Sequence, residues 1–481
     1  MDILIATNNL GKLNEFKAIF KDLPFKFYSL KDLNVTKEPI EYGLTLMENA
    51  IIKAKYYYEL TKMPTLSDDT GLFIAGLNGN PGVNTARFSG EGDKGNREKV
   101  LNLLKNNNKR NAYFKTCLVF YDGLDLITST GYLNGSISEK EVGDNGFGYD
   151  PIFYVDQYQK TLAELDSNTK NHLSHRYNAS ISMMMKLKLF YGLVEPLDIM
   201  KEYFDNIGEY ELLQGGMSNS TYIVKNNHKK YIFRIPGLSS EIFVDRNIEF
   251  NALSTVLGDN SFRQMLSFDR VKGILIADYI EKEENTNPSE IIKTLKKLKE
   301  YSFDIDYLPF KRLEYYERLN KILGLEFDQK YYSYKEKLYK YQDKLNKRPL
   351  SFCHNDCQLS NFINDKLIDF EFCGNNDYLY DYACFGNNDL SISKEIIALD
   401  DDIIDKEEAF KIVNLWYSLQ ALSWYNVALF KDAIGFSLQQ KMDFKQIALF
   451  FLNKAIDILE HFNWLNVLFI CSKVFISWLF F

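Results

Sequence analysis

The sequence predicts two domains in series, an α/β domain built on a central mixed sheet and then a bilobal α+β domain. Three observations carry this reading. Strand-like and helix-like segments alternate up to about Tyr191, the pattern of a sheet covered by helices. The second half opens with short strands and becomes mainly helical from about Pro288 onward. A length of 481 residues also exceeds one ordinary folding unit, since domains run to roughly 100–200 residues.

Taken in order, DILIA (Asp2 to Ala6) reads as a buried strand and GKLNEFKAIFKDL (Gly11 to Leu23) as an amphipathic helix. AYFKTCLVFYD and LITSTGYLNGSI read as paired strands, and NASISMMMKLKLFYG as a helix packed by its Met and Leu positions. Pro196 then acts as a helix breaker, which places the joint between Leu193 and Pro196. The expected domains are 1–192 and 197–462, with an apolar tail at 463–481. Strands from Tyr210 to Gly237, turning at Gly215 and Gly216, form the small lobe that precedes the helical one.

Composition narrows the function classes. The chain is 46% apolar and 25% charged, ordinary for globular protein. A net charge of -8 with no basic tail sets nucleic-acid binding aside. The six cysteines include no C-x-x-C pair, and the first residues, MDILIATNN, do not read as a signal peptide, so reduced cytoplasmic thiols are expected. The segment Trp464 to Phe481 is mostly apolar but is interrupted by Asn466, Ser472 and Lys473. A docked helix and a membrane-seeking tail both fit it, and a mid-segment lysine weighs against a true span.

The first constellation lies in the α/β half. TNNLGK (Thr7 to Lys12, including Asn8 and Asn9) follows a strand and opens a helix, where backbone N–H groups and a lysine favour anions. SDDTGL (Ser67 to Leu72) sets two carboxylates side by side at what reads as a strand end. Adjacent side chains on extended backbone face opposite ways, so one carboxylate faces metal and water while the other anchors structure. GFGYDPIF (Gly146 to Phe153) offers glycines for close approach and Phe147 or Tyr149 for stacking on a flat base. KNHLSHR contributes Lys170, His175 and Arg176.

In this order, TNNLGK, GLTLMENAIIKAK, SDDTGL, PGVNTARFSG, GFGYDPIF and SHR resemble the inosine/xanthosine triphosphate pyrophosphatase family over about residues 1–192. The resemblance implies Mg²⁺-dependent hydrolysis of ITP, dITP and XTP to the monophosphate and pyrophosphate, usually by a homodimer. It implies that Thr7 to Lys12 bind the triphosphate and that Asp69 is the catalytic base and metal-associated carboxylate. Thr70, Phe147, Gly148, Tyr149, Asp150, Lys170, His175 and Arg176 are the implied substrate contacts. Glu41 and Glu48 are both candidates for the remaining metal contact; Ile40 stands where some relatives carry a second acidic residue.

The second constellation is HNDCQLSNFINDKLIDFEF. Asp356 and Asn361 are five positions apart (361 − 356), the spacing by which kinase loops place a base and a Mg²⁺ ligand, and Asp369 ends a short apolar strand beyond them. Upstream, GGMSNSTYIV (Gly215, Gly216, Asn219) offers a phosphate-covering loop, Arg234 a strand-borne cation, and Glu249 a helix-borne partner for it. With RIPG and LIDFEFCGNNDYLYDYACF, these resemble the choline kinases, most closely the LicA type, over about residues 197–462. The resemblance implies a bilobal protein-kinase-like fold and transfer from ATP to choline. Asp356 is then the base, Asn361 and Asp369 hold Mg²⁺, Arg234 binds ATP and Asp381 braces the loop. The acceptor pocket departs from the family: Asn388 replaces a usual Glu, and Trp424 is followed by Val427 where a second Trp is usual, with Trp416 as a substitute. Ethanolamine or another amino alcohol is the nearest rival acceptor.

Overall fold

The computed structural model describes residues 1–213, 218–282, 287–387, 389–436 and 442–462. Gly215, Gly216, Asn388 and the tail 463–481 lie outside the described residues. The chain divides into two compact units, Met1–Arg246 with Leu266–Tyr279, and Asn247–Met265 with Ile280–Phe481.

The first unit contains an eight-stranded mixed sheet, running β2-β1-β3-β5-β6-β7-β8 with β4 paired to β3. Its strands are β1 (Asp2–Ile5), β2 (Lys26–Ser29), β3 (Thr65–Ile74), β4 (Pro81–Gly82), β5 (Asn111–Tyr121), β6 (Leu126–Ile137), β7 (Phe153–Val155) and β8 (Lys160–Thr161). β1 is parallel to β2 and β3, whereas β3, β5 and β6 pair antiparallel in unbroken register. SDDTGL therefore sits in the middle of a ten-residue strand, not at a strand end as the sequence suggested. β5 pairs with this polar run along its whole length, whereas β1 pairs only with Thr65 and Leu66 before it.

Helix His175–Phe190 packs on this sheet through Ala179, Met183 and Leu187, one turn apart, against Ile3, Ile5, Leu118, Phe120 and Ile127. The approach is close at Gly131, where a Cβ would stand 2.1 Å from the His175 carbonyl oxygen and 2.3 Å from the Ala179 nitrogen. Gly131→Ala is therefore expected to cost about 1–3 kcal/mol in denaturant unfolding, by prising the helix from β6.

A second sheet completes this unit, in the order β12-β13-β11-β10-β9. It comprises β9 (Ile207–Leu213), β10 (Asn219–Asn226), β11 (Lys229–Pro236), β12 (Met265–Asp269) and β13 (Ile274–Asp278). Tyr222, Val224, Phe233, Ile235, Ile274 and Ile276 form one apolar cluster with Ile199 and Met200. Pro196 opens the short helix Pro196–Met200 rather than breaking one, because the first helical position needs no N–H.

The second unit is mainly helical. Its longest helix, Lys406–Ala433, buries Trp416, Tyr417, Leu419 and Leu422. Two short antiparallel pairs carry the HND segment: β14 (Ser351–Cys353) with β17 (Gly374–Asn376), and β15 (Phe362–Ile363) with β16 (Lys366–Leu367). Among the described residues, no helix is long and apolar enough to cross a membrane.

Candidate active sites

In the first unit the paired carboxylates of β3 have different partners. Asp68 is buried and accepts a 2.6 Å hydrogen bond from Lys12 Nζ. Burial would raise its carboxyl, but Lys12, then Arg176 and Lys53, outweigh that and hold it down at about 2. Asp69 accepts instead from Lys53 Nζ at 3.1 Å and from Asn49 Nδ2 at 3.2 Å. Burial raises the Asp69 carboxyl; Lys53 opposes the rise and Glu41 adds to it. One carboxylate is thus committed to a permanent cation, and the other is kept more basic, as a proton acceptor must be.

Asn49 and Lys53 stand one turn apart on helix Leu46–Thr61, so a single helical face supports Asp69. Sequence reading missed both; their spacing of four was the available signal. Glu48, read as a metal candidate, is taken up elsewhere. It is buried, and its Oε2 accepts from the backbone N–H of Leu44 at 2.7 Å and of Thr45 at 2.8 Å, closing the capping box of that helix. Glu41 lies 3.7 Å from Lys53 and so shares a cation with Asp69. The carboxylates Asp69 and Glu41 are hard oxygen donors of the kind Mg²⁺ takes, and both approach the Lys53 ammonium.

The TNNLGK turn is ordered by its own side chains. Asn9 Oδ1 caps helix Leu10–Ile19 by accepting from Lys12 N at 3.1 Å, and Thr7 Oγ1 accepts from Asn9 N at 3.2 Å. Asn8 Nδ2 donates to Glu38 at 2.6 Å, a partner the sequence did not indicate. Thr70 bonds Thr116 at 2.8 Å beneath the Asp68 carboxylate.

In the glycine-rich loop, Phe147 and Tyr149 separate in role. Phe147 is more than half exposed, with Lys170 Nζ 5.0 Å from its ring centre. Tyr149 is buried in the apolar core and donates its hydroxyl to the Thr85 carbonyl at 2.8 Å, so it offers no stacking face. Asp150 accepts from Phe147 N at 2.8 Å and from Lys170 Nζ at 2.6 Å, which ties the loop to the short helix Ser167–Leu173. Gly148 N donates to Asp93 at 3.0 Å, and Gly148 O accepts from Arg97 at 2.9 Å. His175 stacks on Phe114, and burial pushes its imidazole well below the usual range, so it is neutral; Arg176 is buried and paired with Glu15.

In the second unit the HND segment is braced from below. Asp381 accepts from the backbone N–H of His354 at 2.9 Å and of Asn355 at 2.6 Å. Asn355 itself lies at φ 64°, and its side-chain amide donates to the carbonyls of Phe372 and Gly374, both at 3.1 Å. His354 Nε2 meets the Ile368 carbonyl at 2.9 Å, and burial lowers its imidazole to about 4, so it is a neutral strut. These bonds present Asp356, whose carboxylate accepts from Gln358 Nε2 at 2.7 Å. Asn361 Nδ2 donates to the Asp356 carbonyl at 2.7 Å and to its carboxylate at 3.3 Å. Burial pushes the Asp356 carboxyl up to about 6.

Asp369 sits in the left-handed region at φ 65°, a strained backbone for aspartate that the surrounding fold must hold. Carboxylate oxygens of Glu249, Asp369 and Glu371 lie within 4.8 Å of one another. Three converging carboxylates form a hard-donor set suited to Mg²⁺. Glu249, expected on the ATP side as a partner for Arg234, brings its carboxylate into this acidic group. Glu371 has no local motif to mark it; it stands in the turn that follows the left-handed Asp369. Arg234 is buried on β11, opposite Thr221 and Leu275. Asn219 opens β10 and accepts from Arg246 at 2.9 Å. Trp424 stacks on Phe451 with ring centres 5.8 Å apart. Trp416 is buried and donates to Asp377 at 2.7 Å, so it is core and does not replace a second pocket tryptophan.

Comparison with known proteins agrees with both halves. The Ham1 family profile matches residues 3–186, and that of choline/ethanolamine kinase matches residues 210–395. A dITP/XTP pyrophosphatase of Thermoanaerobacter pseudethanolicus is 45% identical over 192 residues, which are 39% of this chain and 95% of that protein. The solved Ham1 protein of Staphylococcus aureus is 37% identical, covering 39% of this chain and 98% of its own, with a TM-score of 0.37. The solved choline kinase LicA from Streptococcus pneumoniae is 21% identical, covering 55% and 99%, with a TM-score of 0.46. Through residues 3–186 the chain belongs to the Ham1 family, and it carries a choline/ethanolamine kinase domain fused behind that one.

Proposed function

We propose a bifunctional enzyme. Residues 1–192 hydrolyse ITP, dITP and XTP to the nucleoside monophosphate and pyrophosphate, and residues 197–462 transfer the γ-phosphoryl group of ATP to choline. The observation that carries the first activity is the division of labour on β3, with Asp68 bound to Lys12 and Asp69 held by Lys53 and Asn49. Asp69 takes a proton from water, the water oxygen bonds to the α-phosphorus, and the bond to the bridging oxygen breaks to release pyrophosphate. Lys12, Lys170, Arg176 and the helix start at Leu10 supply positive potential for the phosphates. Mg²⁺, when held by Asp69 and Glu41, neutralises triphosphate charge. A pocket that hydrogen-bonds a 6-keto purine leaves polar groups unpaired against adenine, which is the basis for rejecting ATP there.

In the kinase half, Asp356 accepts the acceptor hydroxyl proton as that oxygen bonds to the γ-phosphorus and ADP leaves. Asn361, Asp369 and Glu371 are the candidate holders of Mg²⁺, with Arg234 and Asn219 on the ATP side. Trp424 supplies one aromatic face for a quaternary ammonium. Val427 in the second aromatic position favours a second reading, in which the acceptor is ethanolamine or another amino alcohol whose ammonium binds through hydrogen bonds. A homodimer formed through the pyrophosphatase half, and a cytoplasmic setting suited to the buried free thiols of Cys117, Cys353, Cys357, Cys373 and Cys384, complete the proposal.

A substrate panel on the purified chain tests it: hydrolysis of ITP, XTP, dITP and ATP, and phosphoryl transfer to choline, ethanolamine and an aminoglycoside. No hydrolysis of the first three would overturn the pyrophosphatase reading, and no transfer to any acceptor the kinase reading. Removal of divalent cation with a chelator is expected to abolish both activities, and added Mg²⁺ to restore both.

A further inference from the structure

The segment from Gly237 to Arg246 follows β11 of the small kinase sheet in sequence, yet it also has partners on the pyrophosphatase sheet. Thr128 N, on β6, donates to the Leu238 carbonyl at 2.8 Å, and Leu238 packs against the apolar cluster of Ile3, Leu118 and Phe120. Lys186, on helix His175–Phe190, forms an ion pair with Glu241, with side chains 0% and 3% exposed. The same ammonium donates to the Thr128 carbonyl at 2.8 Å. Lys115 on β5 donates to Asp245 at 3.1 Å, and the hydroxyl of Tyr132 on β6 donates to the same carboxylate oxygen. Lys115 and Tyr132 face each other directly across the two strands. Met185 of the pyrophosphatase helix also joins the apolar cluster of the kinase sheet.

The seam continues into the kinase sheet. Arg246, next to Asp245, is buried, and its stem passes beside Gly273, 3.5 Å from where a Cβ there would stand. Its guanidinium donates to Asn219 Oδ1 at 2.9 Å. Gly237 N donates to the Ser218 carbonyl at 3.0 Å, and a Cβ at Gly237 would stand 2.3 Å from that oxygen. Both ends of the segment therefore grip Ser218 and Asn219, where β10 begins. A buried ion pair is costly to leave half-made, so such a seam fixes one geometry.

We propose that Asp245 is a positioning residue for the kinase half: held by Lys115 and Tyr132 of the pyrophosphatase sheet, it fixes Arg246 and through it the start of β10. Its effect on ATP rests on the kinase reading above; its effect on β10 does not. In the full-length chain, Asp245→Asn is expected to quicken amide hydrogen exchange at Asn219 to Val224 by about tenfold, the loss of one charge-assisted bond. KM for ATP should rise with kcat held, and ITP hydrolysis should stay unchanged. Glu241→Gln, which loosens the seam without bordering Arg246, should lower the unfolding midpoint and leave exchange in β10 as it was. The proposal is overturned if Asp245→Asn leaves exchange in β10 at the parent rate, or if Glu241→Gln quickens it equally. A parent chain that transfers no phosphate would sink the kinase reading, while exchange in β10 still decides the positioning role.

Discussion

Asp69→Asn is expected to lower turnover of ITP, dITP and XTP by about 10²–10⁴-fold, the usual worth of a positioned general base, while the protein stays folded. Asparagine keeps the shape of the side chain and an acceptor for Lys53, so the helix face of Asn49 and Lys53 stays in place. It removes the group that takes the proton. Asp69 is also the carboxylate whose charge burial opposes, so neutralising it relieves a desolvation cost.

The neighbouring substitution should behave oppositely. Asp68 has its carboxyl held at about 2, below the usual value of 3.8, so its ionised form stabilises the fold. That contribution is present above pH of about 4 and is lost as pH falls through about 2, and it amounts to about 2 kcal/mol at neutral pH. Asp68→Asn should therefore appear first as a lower unfolding midpoint. Near-normal turnover in Asp69→Asn, measured as pyrophosphate release, would rule out the base assignment. A pure stability loss in that variant would make Asp69 structural.

Asp356→Ala is expected to remove ATP-dependent phosphorylation of the acceptor by at least about 10²–10⁴-fold, with ITP hydrolysis unchanged. The loop should survive, because its shape does not depend on this carboxylate. Asp381 holds the backbone N–H groups of His354 and Asn355, and Asn355 and His354 grip the carbonyls of Phe372, Gly374 and Ile368. Burial raises the Asp356 carboxyl to about 6, so its removal also unburies a disfavoured charge. Paired assays of both activities on one preparation are the check. Joint loss would show that the halves do not function independently, and retained phosphorylation would place the base elsewhere.

Much of both sites was legible because backbone chemistry ties certain residue types to fixed spacings. TNNLGK was readable as a strand followed by a capped helix, and the adjacent carboxylates of SDDTGL as two groups with different duties. The five-residue step from Asp356 to Asn361 was equally readable, since both residues border one tight turn. The supporting groups were harder to read. Asn49, Lys53 and Glu38 are common surface types with no local motif, and they matter only through approaches across 20, 16 and 30 residues of chain. Glu48 is ambiguous in sequence for a related reason: a glutamate three residues after a threonine serves a capping box as readily as a metal. Tyr149 and Phe147 sit two residues apart in one glycine-rich loop, and only packing decides which ring enters the core.

By itself the sequence determined the order of the two domains and most of the strands and helices that carry them, and it singled out the carboxylates proposed for each site, since propensity, alternation and motif spacing act over a few residues. The tertiary structure decided the rest. It placed SDDTGL inside β3, assigned Glu48 to a helix cap and Trp416 to the core, and gathered Glu249 with Asp369 and Glu371. It also laid the 237–246 segment across β5 and β6. Each of these depends on which groups lose water together, and burial and charge pairing are properties of distant segments brought into contact, which no local pattern encodes.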